Sequence, residues 1–416
     1  MKAIVLAAGK GRRMLPLSEN RPKHLIPVAG RPFLYYVLRN LELAGLKEIG
    51  IVVCYKRELI EDFLRKENFK ARIRLIQQKK PLGTAHAIAS AEKFVGGESF
   101  LVVMGENLYS PKELRELAKE DESIYVGCKE VEDPSNFGVL ICKLGLVKRI
   151  VEKPRKVVSK LANVGAYKFT PAIFDAISQT KLSPRKEYEI TDSISLLAKS
   201  EQVRPFKLRG YWIDFTYPWH VLEVNEWLLS RIKTKIKGEV SKRAMLKGNV
   251  IVEEGVRIRE NVVIDGPCFI GKNSEIGPSS HLRASTSIGA DCKVGSFCVV
   301  KNSVIMGGTK IPHLNYVGDS IIGENCNLGA STITANLRFD GSAISMLIEG
   351  KRVCSKRRKL GVVMGDNSKT GIGVCILPGR KIGCNCLVDP GCVVYKDLPS
   401  GKRLSLRQKQ VIRCVG

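Results

Sequence analysis

Two glycines and two cations near the start of the chain are residue types that hold a polyphosphate. They are Gly9 and Gly11, in Leu6-Ala7-Ala8-Gly9-Lys10-Gly11-Arg12-Arg13-Met14, then Arg13 itself and Lys23, in Arg21-Pro22-Lys23. Glycine lets backbone N–H groups approach phosphate oxygens with no side chain in the way. Arg13 and Lys23 add fixed positive charge, which suits in-line attack at phosphorus, where catalysis is mostly positioning and charge stabilisation. The pattern is not G-x-x-x-x-G-K-[ST], and it lacks the third glycine of the dinucleotide fingerprint, so neither a P-loop nor a dinucleotide site is supported. A second candidate is His313, in Lys310-Ile311-Pro312-His313-Leu314-Asn315-Tyr316, one of only five histidines; taken alone, such a histidine is more often structural than catalytic.

These residues need elements to position them, and the chain changes period partway along. Residues 2–8 form a short apolar run that predicts a buried strand, which places Gly9 and Gly11 at its carboxyl end, where α/β sheets bind ligands. Up to about residue 224, apolar strands (Ile49–Cys54, Ile73–Gln77, Phe100–Met104) alternate with helical patterns (Phe33–Ala44, Thr84–Phe94). That alternation predicts βαβ crossovers and a mostly parallel sheet. Beyond residue 245 the period becomes six: Val252, Ile258, Ile264, Ile270, Ile276, Leu282, Ile288 and Val294. One aliphatic per short strand, followed by a small residue, predicts a left-handed parallel β-helix. The register breaks near 306–317 and is interrupted at about 334–359. Trp227–Gly238, with Lys and Arg among Leu and Ile, predicts an amphipathic connecting helix. The expected organisation is therefore an α/β Rossmann-like domain over 1–224, a linker over 225–244 and the coil over 245–416.

With 416 residues, 44% of them apolar, the chain is expected to build two or three folded cores. No run of about 18 apolar residues occurs and no leader-like segment precedes the first strand, which predicts a cytoplasmic protein with no membrane partner. The formal charge of +27 attracts anions of many kinds without choosing among them. The dense run Lys356-Arg357-Arg358-Lys359 reads equally as a solvated loop or a phosphate site. Thirteen cysteines in such a chain are expected to stay reduced. Cys268, Cys292, Cys298, Cys326, Cys386 and Cys392 fall at the small, inward position of the hexad, so they read as core filler.

Leu-Ala-Ala-Gly-x-Gly with Arg13-Met14, Arg-Pro-Lys and Pro27-Val28 resembles the signature of the sugar-1-phosphate nucleotidylyltransferases. The resemblance implies an α/β nucleotidyltransferase domain in which Leu6, Ala8, Gly9 and Gly11 line a nucleotide and Arg13 and Lys23 are catalytic. It further implies that Gln78, Gly83 and Thr84 read a pyrimidine base, whose imide edge suits an amide that donates and accepts at once. Glu106 (in Gly105-Glu106-Asn107) and Asp214 (in Trp212-Ile213-Asp214) would hold Mg2+, a hard cation that takes oxygen ligands. The family has Asp at the first of these positions. Gly138, Glu152 and Asn163 match its sugar-phosphate positions, and Glu189 and Asp192 lie in another family-like segment that equally suits a helix start.

The string around His313, continued by Asn327-Leu328-Gly329-Ala330, resembles the catalytic segment of enzymes that acetylate glucosamine-1-phosphate and then uridylylate it. By that resemblance His313 is the general base, the Ala330 N–H holds the oxyanion, and Arg283, Lys301, Tyr316, Asn327 and Asn336 hold the sugar phosphate. Lys356 to Lys359 would hold the sugar phosphate or coenzyme A. The whole chain resembles archaeal bifunctional sugar-1-phosphate nucleotidylyltransferase/acetyltransferases. The substrates so implied are UTP or dTTP, sugar-1-phosphates and acetyl-CoA, in a homo-oligomer that is a trimer or a dimer of trimers, with no nucleic-acid partner. Two other readings stay open: nucleotidylyl transfer alone with the coil as a platform, and a non-catalytic binding subunit resembling translation-initiation exchange factors.

Overall fold

In a computed structural model, which describes residues 1–154 and 156–414, the chain forms two compact units. One comprises Met1–Lys10 with Phe33–Phe215, the other Gly11–Pro32 with Thr216–Gly416. The glycine-and-cation signature is thus divided after Lys10.

The first unit is built on a nine-stranded sheet. Its spine runs in the order Leu146–Glu152, Gly138–Lys143, Leu161–Phe169, Phe100–Met104, Lys2–Leu6, Glu48–Val53, Arg72–Gln77. Lys2–Leu6 is central, buried from Ala3 onward, and parallel to both neighbours, in keeping with an apolar run Ala3–Leu6 that hides both faces. The expectation of a mostly parallel sheet holds for Phe100–Met104 through Arg72–Gln77, while the other half is mixed, with Val203–Lys207 parallel to Ile124–Glu130. Leu161–Phe169 runs antiparallel to Phe100–Met104, Ile124–Glu130 and Gly138–Lys143. A further antiparallel pair is closed by the tight turn Leu144-Gly145, both residues at positive φ, which forces a hairpin rather than a crossover. The helix expected over Thr84–Phe94 divides into Thr84–Ala89 and Glu92–Val95. At the break, Ser90 Oγ donates to the His86 carbonyl (2.9 Å), a side-chain bond that competes with the helical ladder.

The second unit contains the coil. Three sheets of eight, nine and eight strands, parallel throughout, supply its faces, and each turn passes once through all three. The hexad aliphatics Val252 to Val294 are buried in one continuous core. The six cysteines assigned to that core are buried, and all thirteen cysteines are free. Burial pushes the Cys268, Cys292 and Cys326 thiols up to about 12, which keeps them protonated and unreactive.

The connecting helix differs from expectation: it spans Pro218–Leu229, and Lys235–Ile236 is already a coil strand, paired with Ile251–Val252. Lateral pairing with residues sixteen places downstream decides this segment, and local periodicity does not report that pairing. The helix is fixed to the coil by buried Asn225. Its Oδ1 accepts from Ala29 N (2.8 Å) and Ser287 Oγ (2.6 Å), and its Nδ2 donates to the Ser285 carbonyl (2.8 Å).

Every irregularity of the coil falls at one corner, between its third and first sheets. Leu282 to Ile288 spans six residues there, but Val300 to Ile305 and Val317 to Ile322 span five. In the next turn, residues 335–362 are inserted, with a hairpin of Ser345–Ile348 and Lys351–Cys354. Corners absorb such changes because a shift inside a strand would turn the inward aliphatic outward. Among the described residues, no helix is long and apolar enough to cross a membrane.

Candidate functional site

In the first unit, residues expected to meet the nucleotide leave the carboxyl ends of neighbouring parallel strands. Leu6 ends the central strand, and Gly105 N donates to its carbonyl (3.0 Å), so Ala8-Gly9 and Gly105-Glu106 emerge side by side. Open space surrounds the position a Cβ would take on Gly9. Gln78 follows the next strand but one. It is 2% exposed, not the surface residue that a lone loop glutamine usually is, and its Nε2 is held by the Gly83 carbonyl (3.2 Å) and His86 Nδ1 (2.9 Å). Gly83 is required: its φ is 110°, and a Cβ would stand 2.5 Å from the Tyr188 carbonyl oxygen. Thr84 Oγ1 accepts from Ile190 N (3.0 Å), so the Tyr188–Ile190 segment clamps the turn expected to read the base.

The two carboxylates expected to bind metal come from adjoining backbone. Trp212–Asp214 pairs antiparallel with Asn107–Tyr109, setting Asp214 opposite Asn107, and Phe215 N donates to the Glu106 carbonyl (2.9 Å). Between them lies the buried Asn107 amide, whose Oδ1 has no hydrogen-bond partner among the described residues. Hard oxygens in this arrangement fit Mg2+, which keeps several ligand positions for water and phosphate. Among the described residues no larger group of His, Cys, Asp or Glu is gathered to hold a metal.

The same segment is tied to the residues expected to hold the sugar. Asn107 Nδ2 (3.0 Å) and Tyr109 OH (2.7 Å) both donate to the Val164 carbonyl. Here the strand is bulged, and Asn163 Oδ1 accepts from Gly165 N (3.0 Å). Glu152 lies opposite Gly138 in the hairpin; a Cβ on Gly138 would stand 2.9 Å from Glu152 Oε1, so that carboxylate needs the glycine. Desolvation raises the Glu152 carboxyl above its ordinary value, against the pull of Arg185 at 3.8 Å, although the side chain keeps 34% of its surface exposed. Arg185 also bonds Glu189 (2.8 Å), while Asp192 is likewise raised, by burial and then by Glu189.

The expected catalytic cations lie in the segment Gly11–Pro32. Gly11 has φ 64°, and a Cβ there would meet Lys23 Cβ at 3.0 Å, so the glycine permits the loop to close on the lysine stem. Ser18 Oγ fastens the closure by donating to the Gly11 carbonyl (2.7 Å). Lys23 is nearly buried, while Arg13 is partly exposed, 5.9 Å from the Tyr217 ring and 3.8 Å from Glu349 at the tip of the inserted hairpin.

In the coil, the residues expected at an acetyl-transfer site fall into two groups. Arg283 and Lys301 stack in register with Gly318 along the irregular corner. Asn336 Nδ2 lies 3.4 Å from Tyr316 OH. Gly318 makes room, since a Cβ would stand 2.7 Å from both groups. Lys356 and Lys359 are exposed in the insertion at the same corner. His313, which is exposed, ends the Lys310–His313 strand at the next corner. Asn327 and Ala330 lie on the following turn of that side, and Ser331 N donates to the His313 carbonyl (3.2 Å). A strand of three residues, Tyr316–Gly318, separates the groups, about 10 Å by strand rise.

Sequence reading missed the hub of the first group. Asp319, with 3% of its side chain exposed, accepts from Asn302 Nδ2 (2.8 Å) and Asn336 Nδ2 (2.5 Å), with Lys301 Nζ at 3.7 Å and Arg357 Nη2 at 4.0 Å. The available signal was a carboxylate set among cations where the hexad breaks.

A family model described as nucleotidyl transferase matches residues 2–230, and one described as the GMPPB C-terminal domain matches residues 264–359. The chain is 44% identical to the bifunctional protein GlmU of Methanocaldococcus jannaschii, with 99% of each chain covered. It is 40% identical to the bifunctional sugar-1-phosphate nucleotidylyltransferase/acetyltransferase of Sulfurisphaera tokodaii, covering 97% of this chain and 99% of that protein. Among solved structures, a UDP-glucose pyrophosphorylase complexed with UDP-glucose is similar, with a TM-score of 0.51 and 26% identity over 56% of this chain and 99% of that one.

Proposed function

Because the chain belongs to the nucleotidyl transferase family and, over its full length, to the archaeal bifunctional GlmU-like proteins, we propose that it makes a nucleotide sugar in two steps. In the first, the amine of glucosamine-1-phosphate attacks the acetyl-CoA thioester. His313 takes the ammonium proton, the Ala330 N–H holds the oxyanion, and the C–S bond breaks to release coenzyme A as its thiol. In the second, a phosphate oxygen of N-acetylglucosamine-1-phosphate or glucose-1-phosphate attacks the α-phosphorus of UTP or dTTP. The bond to the β,γ-phosphates breaks, and pyrophosphate leaves.

The attacking phosphate is already ionised, so this second step needs positive charge rather than a general base. Arg13 and Lys23 supply that charge, while Leu6, Ala8, Gly9 and Gly11 line the nucleotide and Gln78, Gly83 and Thr84 face its base. Gly138, Glu152 and Asn163 hold the sugar. Mg2+ held by Glu106 and Asp214 would neutralise charge on the phosphates. In the coil, Arg283, Lys301, Tyr316, Asn327, Asn336, Lys356 and Lys359 bind the acceptor phosphate or coenzyme A. The separation of the His313 corner from the Lys301 corner supports a site completed by a neighbouring copy, hence a homotrimer or a dimer of trimers.

The observation that carries this reading is the extent of the similarity. A likeness confined to residues 2–230 would support nucleotidylyl transfer alone, whereas the two-activity relatives match 97% and 99% of the chain. A mass spectrum of one reaction holding protein, glucosamine-1-phosphate, acetyl-CoA, UTP and Mg2+ tests it. UDP-N-acetylglucosamine is the expected product, and absence of both acetylated and uridylylated species overturns the reading. The match of residues 264–359 to the GMPPB C-terminal domain favours a second reading, nucleotidylyl transfer alone with the coil as platform; in that case N-acetylglucosamine-1-phosphate is uridylylated but glucosamine-1-phosphate is never acetylated.

A further inference from the structure

The arginine of Arg21-Pro22-Lys23 is spent within the protein. Its guanidinium, 8% exposed, forms a fork with Asp366 of the coil (Nη1–Oδ1 3.1 Å, Nη2–Oδ2 2.9 Å) and reaches Glu324 Oε2 (2.9 Å) and Met306 Sδ (3.4 Å). Asp366 has 6% of its side chain exposed, receives Asn20 Nδ2 (3.0 Å), and is held in place by Glu324 N (2.8 Å). Beside this knot, Ser400 Oγ donates to Glu19 Oε2 (2.5 Å). A coil corner therefore grips Glu19, Asn20 and Arg21, immediately before Lys23.

The connection from Arg21 to Lys23 is stiff. Pro22 fixes its own φ (−57°) and opens a short 3-10 turn, Lys23–Leu25, closed by Leu25 N to the Pro22 carbonyl (2.9 Å). On its other side the lysine stem abuts Gly11, which leads in two residues to Arg13. A bidentate guanidinium–carboxylate pair fixes orientation as well as distance, which a single lysine contact would not.

We propose that Asp366, supported by Glu324, is a positioning residue for nucleotidylyl transfer: through Arg21 it sets the place of Lys23 and Arg13, so the coil is the template for the cationic loop of the other activity. The proposal rests on the nucleotidylyl transfer proposed above. It concerns a corner between the first and second sheets, whereas His313 ends a strand at the corner between the second and third.

The test is Asp366→Asn in the full chain. Its uridylyl-transfer kcat is expected to fall about 100-fold, as for a displaced catalytic group, with KM for UTP within about threefold. Acetyl transfer by the same polypeptide stays at the wild-type rate and reports the fold. Amide exchange over residues 11–26, read without any substrate, is expected to quicken. An unchanged uridylyl kcat, or unchanged exchange in a folded variant, overturns the proposal.

If Asp366→Asn does not fold, the paired variant Arg21→Met with Asp366→Leu decides, since apolar replacement of both partners of a buried pair is commonly tolerated. Uridylyl transfer that stays low in this folded variant supports positioning. Recovery to the wild-type kcat would show that the pair acts only through stability, and would sink the idea. A wild-type protein with no uridylyl transfer defeats the proposed function and with it the catalytic part of this inference, whereas the exchange experiment still decides the anchor.

Discussion

Asp366 and Asp319 are both buried carboxylates at corners of one coil, yet they treat their cations differently. Asp366 takes two direct bonds from one guanidinium, leaving it 8% exposed. Asp319 receives its short bonds from two amides, Asn302 and Asn336, and stands 3.7 and 4.0 Å from Lys301 and Arg357, which keep 21% and 16% of their surface in solvent. In the first case the charge is neutralised within the fold, and the product is fixed geometry. In the second the carboxylate offsets the repulsion of clustered cations while amides satisfy its lone pairs, so ammonium and guanidinium donors stay available to an anion. The contrast separates a carboxylate that builds a scaffold from one that leaves the cations around it partly in solvent.

Substitutions can break that contrast. The largest effect is expected from His313→Ala, which should lower acetyl transfer about 1,000-fold and leave uridylyl transfer unchanged; steady-state assays of the two half-reactions check both. Glu106→Gln removes one of the two carboxylates proposed to hold Mg2+ and should cost about 100-fold in uridylyl kcat, whereas Glu106→Asp keeps the charge and should cost far less. Asp319→Asn sets an amide donor against the Asn336 amide, and should raise the KM for glucosamine-1-phosphate about 30-fold with uridylyl transfer intact. Were it to perturb only stability, the two corners would be alike after all. Gly138→Ala pushes a methyl into the Glu152 carboxylate and should raise the KM for the sugar-1-phosphate about tenfold.

The smallest effect concerns pH. Because the folded Glu152 carboxyl sits above its ordinary value, the native state binds more protons than the unfolded one just above the ordinary carboxylate range. Stability attributable to this group therefore falls as pH rises through that window. Glu152→Gln should raise the melting temperature slightly at pH 7 and not at pH 4, as thermal melts at the two values would show.

The coil was legible in the sequence because each of its turns repeats the same local demand, an inward aliphatic and a small residue before the bend. The broken register announced irregularities but misplaced the first: the steps 305–311–317 are regular, and the shortened ones are 300–305 and 317–322, on either side of the expected 306–317 break. The carboxyl ends of the first parallel strands were legible for a similar reason: apolar runs announce buried strands, and Gly9, Gln78 and Glu106 follow them directly. Arg21 was not legible as an anchor. Its partners are 345 and 303 residues away, and nothing in Arg-Pro-Lys distinguishes an arginine bound for a phosphate from one bound for a carboxylate. The segment after Leu229 was misread for a related cause, since its Lys and Ile residues suit either a helix or an edge turn of the coil and only lateral pairing chooses.

The membership of Gly11–Pro32 in the coil's unit also bears on how the protein is made. A ribosome releases Arg21 early, but Asp366 is translated 345 residues later. At about 5–20 residues per second, that is a wait of roughly 17–70 s. During that time the first sheet can assemble while the cationic loop has no anchor. Synthesis order therefore places closure of the Arg21–Asp366 pair after emergence of the coil turn that carries Asp366, and a chain stalled before Asp366 carries Arg21 without that partner.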